Sequence, residues 1–110
     1  MSSSLEDSQK MAEVAEQSKS KTIIGYNYTK NPVVIHAREI IDKGTIGRIS
    51  GFFCRYDVDN EADGKKPWSW RMSKKLSGTG SNGDILSHVI SVAHYLTNSK
   101  ISKVVGDISI

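Results

Sequence analysis

An aspartate and a histidine, Asp84 and His88, lie four residues apart near the start of a predicted helix. Side chains at positions i and i+4 of an α-helix share one face, so the two groups can reach the same point. Histidine exchanges protons near neutral pH, and a carboxylate beside it can bind a hydroxyl group, so the pair could carry out acid–base chemistry. The same pattern is typical of a histidine at the edge of a core that follows an aspartate at a helix start. These residues alone leave both interpretations open.

A glycine-rich segment directly precedes this pair. Gly78, Gly80 and Gly83 have the spacing G-x-G-x-x-G of dinucleotide-binding loops, and Asp107 follows at about the distance of that motif's ribose-binding acid. The motif requires a buried strand that runs directly into the first glycine. Residues 71–77 (RMSKKLS) are polar and basic instead. We therefore favour a flexible glycine loop that lets the backbone approach a neighbouring group closely.

Two tryptophans and an arginine stand together in a polar stretch, Trp68-Ser69-Trp70-Arg71. Indole rings can stack on a ligand, and a guanidinium can bind oxyanions or hydroxyl groups, so this segment could act as a lid or a binding platform. Alternatively, both tryptophans anchor the loop to the core. The remaining histidines, His36 and His94, have no acidic partner at a useful spacing, and we expect both at the surface.

The elements that must position these residues alternate between helices and strands. Three helices are predicted: one over 5–18, one that begins at Pro32 and is ended by Gly44 and Gly47, and one over 84–96. Ser3 or Ser4 is the expected N-cap of the first helix, and Asn31 is the expected N-cap of the second. Strands are predicted over 21–26, 48–58 and 101–110, and a long polar loop over 59–82. This order predicts an α/β (α+β) sandwich in which helices pack on a sheet.

Composition narrows the class of protein. The 110 residues correspond to about one domain, and the formal net charge of +3 is too small to indicate a nucleic-acid partner. The single cysteine, Cys54, excludes an internal disulfide framework and a cysteine-based zinc site, and we predict no metal site. No apolar run approaches the roughly 18 residues of a membrane span, and we expect no secretory leader, because residues 1–7 (MSSSLED) lack its apolar segment. We expect a cytoplasmic protein with no membrane association.

Four pieces of the sequence, taken in order, resemble the glucose–fructose oxidoreductase/inositol dehydrogenase family, often written Gfo/Idh/MocA. The pieces are Gly25-Tyr26-Asn27-Tyr28, Asn31-Pro32, Ser69-Trp70-Arg71 and Gly78-x-Gly80-x-x-Gly83-Asp84-x-x-x-His88. The resemblance runs from about Leu5 to Ile110. It implies that residues 1–27 are the last helix and strand of a Rossmann domain, which binds NAD or NADP in intact members. Residues 28–110 would then be the first part of an open-sheet substrate domain with helices on one face.

The resemblance also implies roles for individual residues. Asp84 matches the family's substrate-binding acid, and His88 matches its acid–base group, which moves the hydroxyl proton while hydride passes to the nicotinamide. The residues expected to line the substrate and cofactor cleft are Tyr28, Lys30, Trp70 and Arg71. The glycines of 78–83 would form the floor of the active site.

Some features of the family pattern are absent. The cofactor fingerprint and the Glu-Lys-Pro segment with the family's catalytic lysine do not occur, and Ser91 stands where close relatives often have aspartate. We therefore interpret the chain as a truncated NAD(P)-dependent oxidoreductase that acts on a hydroxyl carbon of a sugar, inositol or related polyol and is inactive alone. The alternative is a non-catalytic interaction module that forms a homo-oligomer through its exposed sheet.

Overall fold

The computed structural model describes residues 4–59, 62–80 and 82–107. Its α-helices are α1 (Leu5–Gln17), α2 (Pro32–Asp42), α3 (Lys74–Ser77) and α4 (Ser87–Thr97). Two 3₁₀ turns, Asn27–Lys30 and Trp70–Met72, and a π-helical turn, Asn82–Leu86, are the other helical elements of these ranges. None of the helices in the described ranges is long and apolar enough to cross a bilayer.

The first two helices begin where their capping residues predict. The Ser4 hydroxyl accepts a hydrogen bond from the Asp7 amide at 3.1 Å, and the Asn31 side chain accepts one from the Val33 amide at 2.9 Å. Each bond satisfies an amide that the helix itself leaves without a partner, which is why these residues favour the N-cap position. Ser3, the other candidate cap of α1, lies outside the described residues.

The predicted α/β (α+β) fold is wrong for the residues that the structure describes, because these residues form no strand and no sheet. The segments 21–26, 48–58 and 101–107 are irregular, so neither the final αβ unit of a Rossmann domain nor an open-sheet domain is built. A strand exists only through hydrogen bonds to a neighbouring strand. Alternating apolar residues predict which side of a strand would be buried, but they do not supply that neighbour. Residues 108–110 of the third predicted strand lie outside the described residues.

Helices α2 and α4 and the turn Asn27–Lys30 pack together. Arg38 of α2 joins the two helices: its Nε donates to both carboxylate oxygens of Asp42 at 2.8 Å, and its Nη1 donates to the Tyr95 carbonyl of α4. The Arg38 guanidinium also lies over the Tyr95 ring, 5.8 Å from its centroid. Within the described ranges, α1 does not pack against the other helical elements.

The molecule is expanded for its length. Its accessible surface is 9781 Å² and its radius of gyration is 17.0 Å. A compact domain of this mass would have about 6,000 Å² and about 13 Å. Among the described residues, none is fully buried, and large apolar side chains such as Ile23, Phe53 and Val105 are almost completely exposed. The helices therefore form a local assembly without a closed hydrophobic core.

Candidate functional site

The His88 imidazole lies between two tyrosine rings. His88 is the second residue of α4. Tyr28 lies in the turn Asn27–Lys30, and Tyr26 is the N-cap of that turn. The ring centroids of Tyr28 and His88 are 4.5 Å apart with the planes tilted by 43°. Tyr26 meets His88 edge-on at 5.8 Å and 83°. The imidazole is thus held on two sides by aromatic rings from a distant part of the chain.

The two nitrogens of the His88 ring have different surroundings. Nδ1 is buried and has no hydrogen-bond partner among the described residues. A nitrogen in that position cannot be reached by a ligand. Nε2 is not a buried nitrogen without a partner, and proton exchange of this imidazole with a bound group would use it.

The Asp84 carboxylate is paired with an arginine from the preceding loop. Arg71 Nε donates to Asp84 Oδ2 at 3.1 Å, and the two side chains are 44% and 33% exposed. The Arg71 guanidinium also lies over the Trp70 ring, with its carbon 4.6 Å from the centroid. Trp68 and Trp70 are 66% and 51% exposed. Both indoles are mainly exposed, and the binding role of Trp70 and Arg71 stays a prediction.

Asp84 and His88 share a region of the molecule but have different partners. Asp84 belongs to the π-helical turn Asn82–Leu86 and pairs with Arg71, whereas His88 belongs to α4 and packs on tyrosines. Tyr28 connects the two groups. Its pKa is raised above the ordinary tyrosine value, first by its hydrogen bond to Tyr56, then by partial burial, and further by the negative charges of Tyr56 and Asp84.

Lys30 is another of the predicted cleft residues. It lines an open, mainly apolar groove of about 600 Å³ between residues 23–30 and one face of α4. Tyr26 borders this groove as well as His88, so the groove and the imidazole are neighbours. Ser91, at the position often held by aspartate, also lines the groove, and its hydroxyl donates to the His88 carbonyl at 2.8 Å.

The glycine loop does not fit the pyrophosphate of a dinucleotide. It follows the short helix α3 instead of a strand, and it leads into a turn that carries the acidic Asp84. Gly78 and Gly80 have φ values of 65° and 60°, which favour glycine. A Cβ at Gly83 would overlap the Thr79 hydroxyl. The close approach at Gly83 is thus to the chain's own loop.

Sequence reasoning missed one residue of this region, Tyr56. Its hydroxyl oxygen is 2.6 Å from that of Tyr28, and the two rings stack with centroids 5.8 Å apart at 22°. The sequence places Tyr56 in an alternating apolar pattern with Phe52, Cys54 and Val58. The hydroxyl group of Tyr56 could have identified this residue in the sequence, because a tyrosine on an apolar face needs a polar partner for its hydroxyl.

Comparison with known proteins gives two matches. The family model of the GFO/IDH/MocA C-terminal domain matches residues 34–110. A levoglucosan dehydrogenase from Pseudarthrobacter phenanthrenivorans is 38% identical over 91 residues, which cover 83% of this chain and 23% of the dehydrogenase. The chain therefore spans about a quarter of the length of that relative. The predicted division of the chain into 1–27 and 28–110 stays a prediction.

Proposed function

The chain belongs to the GFO/IDH/MocA family, and from this premise we propose that it supplies the acid–base part of an oxidoreductase site for a sugar or related polyol. The observation that carries the proposal is the placement of His88. By resemblance, His88 matches the family's acid–base position, and its imidazole contacts Tyr26 and Tyr28 and has one buried nitrogen. Such a ring has a fixed orientation, which a proton-transfer group requires.

Oxidation of a hydroxyl carbon removes a proton from oxygen and a hydride from carbon, and the nicotinamide of the family's NAD or NADP would accept that hydride. His88 takes the proton at Nε2: the substrate O–H bond breaks and an N–H bond forms on the imidazole. In the reverse direction, the same nitrogen returns the proton to the alkoxide oxygen. A positioned general base of this kind contributes roughly 10²- to 10⁴-fold to the rate.

Asp84 binds the substrate beside this proton-transfer group. Its Oδ2 is occupied by Arg71, so Oδ1 is the oxygen that accepts a hydrogen bond from a substrate hydroxyl. Arg71 also neutralises the charge of the Asp84 carboxylate. A site without net charge is suited to a neutral ligand with many hydroxyl groups. The exposed faces of Trp68 and Trp70 can stack against the apolar face of a sugar ring.

The substrate class is supported by the chemistry of these groups and by the relative. A carboxylate, a guanidinium and two tyrosine hydroxyls are suited to a ligand with several hydroxyl groups. The matched relative is a levoglucosan dehydrogenase. We therefore propose a sugar or sugar-derived polyol as the substrate.

Intact members of the family use NAD or NADP, but the glycine loop of this chain does not fit a dinucleotide pyrophosphate. The sequence also lacks the family's Glu-Lys-Pro segment. We expect that the 110-residue chain binds neither dinucleotide tightly and does not turn over alone. Titration of NADH with the chain, followed by nicotinamide fluorescence, should show no saturable binding. Binding with a Kd in the micromolar range would contradict this expectation.

The role of His88 can be tested in a chimera of the levoglucosan dehydrogenase in which this chain replaces the 91 matched residues. We expect the chimera to oxidise levoglucosan and His88→Ala to lower kcat about 10²- to 10⁴-fold. His36→Ala is the control, because it removes an exposed histidine that does not line the groove beside His88. A His88→Ala chimera with the turnover of its parent would remove His88 from the proposed role.

One observation favours a second function, that of an interaction module. The surface of 9781 Å² and the nearly complete exposure of Ile23, Phe53 and Val105 leave a large apolar area without a partner. The sheet that we expected to carry association is not formed by the described residues. Association would instead use these exposed side chains. A discrete homo-oligomer in native mass spectrometry, together with an inactive chimera, would support the module over the oxidoreductase.

A further inference from the structure

Tyr56 joins residues 48–58 to the ring that covers His88. The hydroxyl oxygens of Tyr56 and Tyr28 are 2.6 Å apart, at the short end of the normal O–H···O range. Their rings also stack at 5.8 Å with an angle of 22° between the planes. Two contacts thus fix the same pair of side chains, which are 28 residues apart in sequence.

The contact matters because Tyr28 packs on the imidazole. With centroids 4.5 Å apart, the Tyr28 ring is in van der Waals contact with His88. A tyrosine ring without a partner for its hydroxyl could rotate about its side-chain torsions. The hydrogen bond at its far end restricts that rotation, and the restriction extends to the imidazole beneath it.

The electrostatics of Tyr28 agree with this contact. Its pKa is raised chiefly by the hydrogen bond to Tyr56, and the neighbouring carboxylate of Asp84 raises it further. Either hydroxyl can act as the donor of this bond.

We propose that Tyr56 is a positioning residue of the candidate site, whose hydroxyl holds the Tyr28 ring against the imidazole of His88. The catalytic meaning of this role rests on the proposed function, but the contact itself does not. Tyr56 acts through Tyr28 and is not placed in contact with the reacting atoms. The side chain is 42% exposed, so its hydroxyl can be removed without opening a core.

The test uses the full chain and the variants Tyr56→Phe, Tyr28→Phe and Tyr95→Phe. Nuclear magnetic resonance of the His88 ring protons reports the position of Tyr28, because a neighbouring aromatic ring shifts those signals. Tyr56→Phe should move the His88 signals and lower the Tyr28 pKa toward the ordinary value of about 10, followed with ¹³C-labelled tyrosine. Tyr95→Phe is the control, since Tyr95 lies against Arg38.

Tyr56→Phe keeps the aromatic ring and its packing. A merely structural role of Tyr56 would therefore leave both the His88 ring-proton signals and the Tyr28 pKa unchanged. Tyr28→Phe removes the same hydrogen bond from its other end and should shift His88 in the same direction as Tyr56→Phe. The double variant should add little to either single variant. If the His88 signals do not change in Tyr56→Phe, the proposal is overturned, even when Tyr28→Phe does move these signals.

The outcome is independent of the proposed function. If Tyr56→Phe moves the His88 signals while the His88→Ala chimera keeps its turnover, the positioning role is supported and the acid–base role fails. If the signals stay in place while His88→Ala abolishes turnover, the acid–base role is supported and the positioning role fails.

Discussion

Arg71 determines how the Asp84 carboxylate is presented. One carboxylate oxygen accepts from Arg71 Nε, and the guanidinium plane lies over the Trp70 indole. An exposed ion pair contributes about 0–1 kcal/mol and an exposed cation–π contact about 0.5–1 kcal/mol. Neither interaction alone is strong. Together they restrict the loop that carries Trp70 relative to the turn that carries Asp84.

We predict that Arg71→Lys and Arg71→Met both release this loop. Lysine keeps the positive charge but lacks the planar group that stacks on indole and donates through Nε. In a Trp68→Phe background, the fluorescence of Trp70 should move to longer wavelength in both variants, because water replaces the guanidinium over the ring. In the chimera, both variants should raise the KM for levoglucosan, since Asp84 loses its orientation.

Lys75→Met is the matched control for Arg71→Met, because it also removes one exposed positive charge near the loop. It should leave the Trp70 emission where it is in the parent. If Arg71→Lys kept the parent's emission, the net charge of the loop, and not the stacked guanidinium, would hold Trp70 in place.

At the level of elements, the start of α4 is the least regular helical segment of the site. The helix is preceded by the π-helical turn Asn82–Leu86, and such turns occur frequently at functional sites. Gly83 lies within it, and the Thr79 hydroxyl occupies the place where a Cβ would stand. The turn that carries Asp84 therefore requires a residue without a side chain at position 83.

Gly83→Ala should destabilise the turn before α4, because the added Cβ would overlap the Thr79 side chain. Urea denaturation followed by circular dichroism measures this loss. Thr79→Ala should recover part of it, because the hydroxyl is the closest atom to the added methyl group. Gly51→Ala is the control, since no atom lies within 4 Å of its Cβ position. Equal effects of the two alanines would show that Gly83 has no special packing.

For the whole molecule, the decisive property is the exposed apolar surface. Phe53 is 89% exposed, and Ile23 and Val105 are 94% and 99% exposed. Burial of one such side chain contributes about 1.5–3 kcal/mol, so each is a substantial driving force for association. The expanded shape, with a radius of gyration of 17.0 Å, distributes these side chains over separate segments.

Phe53→Asp should reduce association of the chain, measured as the weight-average mass in light scattering at several concentrations. The charge also makes burial of this position costly, so binding of a hydrophobic dye should fall as well. Ser50→Asp introduces the same charge in the same segment without removing apolar surface. Association that falls equally in both variants would indicate charge repulsion and not the loss of an apolar contact.

Local features predicted from the sequence are present in the structure. The caps at Ser4 and Asn31 are correct because capping depends on residues within one helical turn. The family resemblance is confirmed by the matches to known proteins. It could be recognised from the sequence because its motifs are short and occur in a fixed order along the chain. The three predicted strands are wrong for the described residues because an alternating pattern contains no information about a pairing partner. The roles of Asp84 and His88 stay predictions.

The sequence by itself determined the family, the starts of α1 and α2, and the residues worth testing at 84 and 88, because each depends on short-range patterns. Only the tertiary structure decided which groups surround them. It placed Tyr56 on Tyr28 and Arg71 on Asp84, across 28 and 13 residues of chain. It also placed Lys30 in the groove that Tyr26 borders beside His88. The physical reason is that a side chain's partners depend on the path of the backbone between them, which residue types and spacing do not specify.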